Sequence, residues 1–182
     1  MMKLKQAAIL AAATLLGAGA VAAKTYPVVG GAAMYPSKTI VENAVNSKDH
    51  TTLVAAVKAA GLVETLSGSG PFTVFAPTNA AFAKLPAGTV ATLLKPENKQ
   101  TLTAVLTYHV IPGQVRAADI AAKVKASGEA RYATVQGGAL TFRKAAGGYT
   151  VTDAKGNVAR ITQADVAQSN GMIHVIDAVL LP

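Results

Sequence analysis

His109 and His174 are the side chains through which this sequence could do acid–base chemistry. They stand in Leu106-Thr-Tyr-His-Val-Ile111 and Met172-Ile-His-Val-Ile176, and imidazole is the group that titrates near neutral pH. Asp153, Asp165 and Asp177 could supply carboxylates, but their spacing sets them in separate strands or loops, so nothing in the sequence pairs two of them. Ser127 and Ser169 fall in turns, without the Gly-x-Ser-x-Gly elbow that exposes a nucleophile. A metal centre needs three or four convergent ligands. The chain offers three histidines, none at paired spacing, and no cysteine, so no metal is expected. Gly137-Gly138 lacks the surroundings of a phosphate-binding loop and reads as a hairpin turn; no cofactor is expected. A histidine embedded among apolar residues is then a structural hydrogen-bonder, since buried polar groups are bonded. His50, beside a helix start, reads as a surface or capping residue.

These residues must be positioned by elements that the pattern outlines. Lys24 to Met34, with Pro27, Gly30 and Gly31, reads as a flexible lead-in. Ser37 is placed to cap a helix with Ile40, Val41, Ala44 and Val45, and Asp49 or Thr51 a second with Leu53, Ala56, Val57 and Ala60, stopped by Gly61. Ser67 to Pro71 is a turn, and Phe72 to Ala76 an apolar run bounded by prolines, as a buried strand would be. Thr78 or Asn79 caps a short helix, with Phe75 and Phe82 fixing its approach to the sheet. Pro96 opens a helix through Leu102, Val105 and Leu106. That helix feeds a strand at Tyr108-His109, where the two side chains would point to opposite faces. From Arg131 on, alternation and glycine turns dominate: strands are expected at 131–135, 139–143, 149–152, 158–162, 166–168 and 172–179. Helices first and strands later give an α+β class.

The first 23 residues read as a signal peptide: Met1-Met2-Lys3-Leu4-Lys5, an apolar run from Ala7 to Leu16, and small residues at Ala20 to Ala23. The run is too short and alanine-rich for a bilayer span of about 20 residues, so cleavage leaves no transmembrane anchor. Export normally permits disulfides, yet with no cysteine the domain must hold by packing alone. The roughly 160 residues left suffice for one core. Removing Lys3 and Lys5 lowers the formal charge from +8 to +6, an excess that favours acidic surfaces. Nucleic acid is not the expected partner, because no basic cluster is interleaved with the aromatic residues that single strands stack on.

Phe72-Thr-Val-Phe-Ala-Pro-Thr-Asn-Ala-Ala-Phe82 resembles the N-terminal signature of the fasciclin (FAS1) domain. Asn170-Gly-Met-Ile-His-Val-Ile-Asp-Ala-Val-Leu-Leu-Pro182 resembles its C-terminal signature, with Tyr108-His109 between them where that family has a Tyr-His motif. The resemblance runs from about Tyr35 to Pro182. It implies residues 35–182 as one FAS1 domain, a compact β-wedge or sandwich of two small sheets with several helices packed on one side. It also implies a structural role for Phe75, Pro77, Thr78, Asn79, Phe82, Asn170, Gly171, His174 and Asp177. In animal matrix relatives an Asp-Ile pair and the Tyr-His neighbourhood are linked to integrin binding; Asp165-Val166 resembles the pair, with Val in place of Ile. Tyr108, His109, Asp165 and Val166 are accordingly the candidate interaction surface, although Asp165 could simply start a strand or cap a turn.

The expected function is that of an exported, periplasmic or secreted, fasciclin-like binding protein for adhesion, envelope contact or biofilm, with no enzymatic activity. Its partner would be a cell-surface or matrix protein or an anionic glycan. The alternative is a periplasmic carrier of an apolar or amphipathic small molecule, suggested by the 51% hydrophobic composition and by pigment-binding relatives. A glycan-directed hydrolase is the remote third.

Overall fold

Hydrophobic periodicity decides which segments coil and which extend. In the computed structural model, which describes residues 24–182, six helices precede most of the sheet: α1 (Ile40–Ala44), α2 (Thr51–Ala60), α3 (Val63–Ser67), α4 (Asn79–Ala83), α5 (Thr89–Leu93) and α6 (Lys99–Tyr108). The expected signal peptide, 1–23, lies outside the described residues. In α2 the buried residues Leu53, Ala56, Val57 and Ala60 recur at helical spacing, and Gly61 ends the helix at φ 74°, where glycine carries no Cβ penalty. Leu102, Val105 and Leu106 form the matching stripe of α6, which packs against α2. Thr39, rather than Ser37, caps α1: its hydroxyl accepts from Glu42 N–H while Glu42 reaches back to Thr39 N–H. A 3-10 turn at Lys48–His50 precedes α2, so neither Asp49 nor Thr51 occupies the capping position.

The flexible lead-in is corrected. Strands β1 (Val28–Val29) and β2 (Ala32–Ala33) form an antiparallel hairpin around Gly30 and Gly31, both at positive φ as a tight two-residue hairpin turn requires. Val29 and Met34 are buried in the helix-side core, so the folded body begins ahead of Tyr35.

Seven further strands make one mixed ladder: β3 (Phe72–Pro77), β4 (Val110–Pro112), β5 (Ala130–Ala133), β6 (Ala139–Ala145), β7 (Gly148–Thr152), β8 (Val158–Gln168) and β9 (Gly171–Ile176). Their order is β4-β3-β9-β8-β7-β6-β5. Only the β3–β9 pairing is parallel, joining Phe72 to Gly171 and Pro77 to Ile176. The wedge is thus one continuous ladder folded over on itself. Strand β8 makes the fold: its start pairs with β7 and its remainder with β9, and two register shifts interrupt the β9-paired part, where bulges bend and twist a strand. The outer strands come together where Val135 N–H donates to Val110 C=O at 2.8 Å, which nearly closes the sheet.

Because successive strand residues face opposite sides, β3 and β9 divide the interior into two cores. Val74, Ala76, Ile173 and Val175 face the core under α1, α2 and α6. Phe75 and Ile176 face a second core with Leu140, Phe142 and Val151. A seventh helix, α7 (Ala117–Ser127), covers that second core with Ile120 and Val124. It lies on the side of the sheet away from the other helices.

Candidate functional site

Tyr108 and His109 are not in a strand. The apolar stripe of α6 carries the helix through Tyr108, His109 is its C-cap, and extension begins at Val110. Both side chains turn inward, at 0% and 2% exposure. The Tyr108 hydroxyl donates to Ala139 C=O and accepts from Ala154 N–H, each at 2.9 Å. His109 Nδ1 lies 2.7 Å from Val105 C=O, which can only accept, and its Nε2 accepts from Leu180 N–H at 3.0 Å. Those partners fix a neutral imidazole with its proton on Nδ1. Burial pushes its pKa down to about 4, against the opposing pull of the Val105 carbonyl.

His174 is held in the same way. Nε2 donates to Val115 C=O at 2.8 Å, Nδ1 accepts from Asp165 N–H at 3.2 Å, and the ring stacks on Phe75 with centroids 5.2 Å apart. Burial lowers its pKa. His50, expected as a surface or capping residue, stands at the N-cap position of α2, although its side chain makes no cap bond. The surface alternative is corrected, because the ring is buried, with Nδ1 2.9 Å from Ser47 Oγ and Nε2 3.4 Å from Ala76 C=O, and burial lowers its pKa too. The three rings therefore have both nitrogens engaged inside the fold, which is the structural arrangement rather than that of a general base, whose nitrogen must face a reactant.

Val166 is fully buried in the helix-side core. Of the candidate interaction residues, Tyr108, His109 and Val166 are thus removed from the surface, and Asp165 remains exposed. Asp165 sits at φ 57° within the second register shift of β8, between Gln163 and Val166, a left-handed conformation that aspartate tolerates better than most side chains. The bulge aims its carboxylate at α7, where Oδ1 accepts from Ala117 N–H at 2.8 Å. Asp119 accepts from Arg116 N–H beside it. Two carboxylates at a helix N-terminus satisfy orphan donors and oppose the helix dipole.

The signature residues also act as caps, several of them over long sequence distances. Thr78 caps α4 through Ala81 N–H. Asn79 accepts from Thr52 N–H at 3.0 Å and donates to Lys48 C=O at 2.8 Å, tying the start of α2 to the end of β3. Asn170 accepts from Ile40 N–H at the start of α1 and donates to Leu66 and Gly68 C=O at the end of α3. Gly171 lies against β3 so closely that an added Cβ would stand 2.0 Å from Phe72 O. Asp177 accepts from Arg160 N–H at 2.7 Å, and its exposed 3.7 Å pairing with Lys84 contributes little. Pro77 ends β3, buried beside Ile176. Phe82 packs in the helix-side core, but Phe75 points into the other one, so the two do not jointly seat α4; alternation along β3 separates them.

Asp153 is a residue that the sequence did not single out for this role. Its carboxylate, buried in the β7–β8 turn, accepts from Lys155 and Asn157 N–H, from the Asn157 side chain, and from Leu181 N–H at 2.8 Å. The Asp-Ala-Lys-Gly-Asn turn was readable, whereas the return of Leu181 to it was not. Helix α7 was likewise missed, although Ile120 and Val124 at four-residue spacing, with Gly128 beyond, carried its signal.

No cluster of potential metal ligands occurs among the described residues, and no described helix is long and apolar enough to cross a membrane. Two adjoining apolar cavities, of about 40 and 30 Å³, lie between β3 and the first two helices, sharing Ile40, Ala44, Leu53 and Val74 in their walls.

Residues 48–182 match the fasciclin domain family model. The chain is 55% identical to protein sll1483 of Synechocystis over 155 residues, covering 85% of this chain and 79% of the relative. It is 35% identical to the cell surface glycolipoprotein MPB83 of Mycobacterium bovis over 178 residues, 94% of this chain and 74% of that one. The structure of a FAS1 domain pair from the insect cell adhesion molecule fasciclin I superposes with a TM-score of 0.70 at 21% identity, over 80% of this chain and 51% of the pair. The signature segments, the mixed ladder that they build and these likenesses agree: the chain belongs to the fasciclin family.

Proposed function

We propose that this protein is an exported binding protein, periplasmic or secreted, that mediates contact at a cell surface, envelope or extracellular matrix, and that it is not an enzyme. The observation that carries this reading is the internal engagement of the motif polar groups. The imidazoles and the hydroxyl of Tyr108 are bonded within the fold, and function must be argued from a site rather than from a fold. What faces outward is a basic surface that attracts acidic partners, with an attraction that salt screens. The relation to a mycobacterial cell surface glycolipoprotein supports placement outside the cytoplasm. The carrier reading meets a difficulty of size: ligand sites for drug-sized molecules occupy roughly 300–1,000 Å³, and the two apolar cavities hold about 40 and 30 Å³.

Crosslinking and pull-down of the tagged protein from native envelope and medium fractions tests the reading. A reproducible surface or matrix component, together with weaker attachment of a deletion strain, is the expected result. Failure to bind cells, matrix, glycans or envelope, with attachment unchanged on deletion, would sink it.

A further inference from the structure

The net positive charge is concentrated. From Arg116 to Arg160 there are eight Lys or Arg and three Asp or Glu, while the other described residues are nearly balanced at seven and six. The three acids of this segment are already engaged: Asp119 with Arg116 N–H, Glu129 with the Arg143 guanidinium at 2.6 Å, and Asp153 with its turn and Leu181. Lys125 and Lys144, by contrast, make no ion pair among the described residues.

Topology brings these two lysines to one place. Lys144 of β6 and Tyr149 of β7 are register partners. They share the face that carries Phe142 and Val151, so they extend it beyond the core to the open end of the sheet. Helix α7 lies over that face, and there it presents Ala121, Ala122, Val124 and Lys125. The result is an open groove of about 530 Å³. An aromatic ring and short aliphatic side chains line its middle, and two exposed ammonium groups come from its opposite walls.

We propose that this groove binds an anionic polysaccharide, a sugar's apolar C–H face resting on Tyr149 and its carboxylate or sulfate groups meeting Lys125 and Lys144. The proposal rests on the binding reading above and names the partner's chemistry. Single-stranded nucleic acid fits less well, because it stacks successive bases on several aromatics. Tyr149 is the aromatic residue lining the groove, while Tyr132 is covered by Lys123, whose ammonium stands 4.0 Å from the ring centroid. A lipid surface fits less well too: the exposed large apolar residues, Val28, Tyr35, Val45, Val135 and Val158, line other parts of the molecule.

Isothermal titration tests the groove with oligogalacturonate and dextran sulfate, each beside its neutral counterpart, methyl-esterified oligogalacturonate and dextran. The purified protein is expected to bind the anionic member of at least one pair, more weakly as salt rises. Lys125→Glu with Lys144→Glu should weaken that binding by at least roughly tenfold, as removal of paired charges does at other interfaces. Tyr149→Ala should weaken it with an unchanged salt dependence. A charge-matched control, Lys48→Glu with Lys99→Glu, should leave it within about twofold, since neither residue lines the groove and exposed charges are screened with distance; melting curves establish that each variant is folded. The proposal is overturned if neither anion binds better than its neutral partner, if the control pair weakens binding as much as the groove pair, or if oligothymidylate or phosphatidylglycerol vesicles compete through the groove more strongly than the glycan. If no glycan binds yet envelope capture persists, the groove assignment falls and the general binding function stands; loss of envelope capture as well removes both.

Discussion

Leu180 donates its backbone N–H to His109 Nε2 across 71 residues of sequence, and the same imidazole donates back to Val105 in the last turn of α6. One ring thereby joins a helix end to the C-terminal segment in a position from which water is excluded. His109→Ala removes both bonds and leaves the Leu180 donor buried. We expect a loss of about 1–3 kcal/mol, read from urea unfolding with an unchanged slope. A variant as stable as the parent would return His109 to the list of functional candidates.

The pH dependence follows from the same ring. His109 has a folded pKa of about 4 against an ordinary value of 6.5, so between those values the unfolded chain binds the proton and the folded one does not. Stability is full above about pH 6.5, falls as the pH drops, and levels off below about pH 4; the full shift is worth on the order of 3 kcal/mol. His50 and His174 are displaced in the same direction by burial and add to the slope. Melting temperatures across this window should decline on acidification, and a His109→Gln variant should show a shallower decline.

Asp165 separates the capping role from the binding role expected for its motif. Asp165→Ala removes the acceptor for Ala117 N–H and should cost about 1 kcal/mol, the usual value of a lost helix cap. Faster amide exchange in the first turn of α7 should accompany the loss. Asp165→Asn keeps both the acceptor and the tolerance for positive φ, and should stay close to the parent.

Gly171→Ala should be among the most damaging single methyl additions. The new Cβ would meet Phe72 O at 2.0 Å and Phe72 N at 2.9 Å, and these are backbone atoms of the paired strand, which cannot swing aside. The expected destabilisation is at or above the upper end of the roughly 1–3 kcal/mol typical of overpacking, measurable as low soluble yield or a depressed melting temperature.

Much of this architecture was legible because it is local. The apolar stripe of α2, the glycine turns between β5 and β8, and the threonine before α4 each carry their reason within a few residues. What was hidden is non-local. Tyr108 and His109 look like the start of a strand because β-formers follow them, yet tertiary packing extends α6 through Tyr108. Val166 resembles half of a recognition pair, but the bulge at Asp165 turns the valine inward. Asn79, Asp153, Asp165 and Asn170 have the composition of turn residues, and nothing nearby in sequence announces that their partners lie in other elements. The Lys125–Lys144 groove was equally invisible, since its walls meet only when α7 folds over the sheet.

The parallel pairing of β3 with β9 also sets an order of events. Strand β9, which lies between β3 and β8, follows every other strand of the ladder in the sequence, so a growing chain cannot complete its sheet until residue 176 has been made. Contacts this distant form late and slowly. Until then β3 lacks its parallel partner, and the helices lack the part of their platform that Ile173 and Val175 provide.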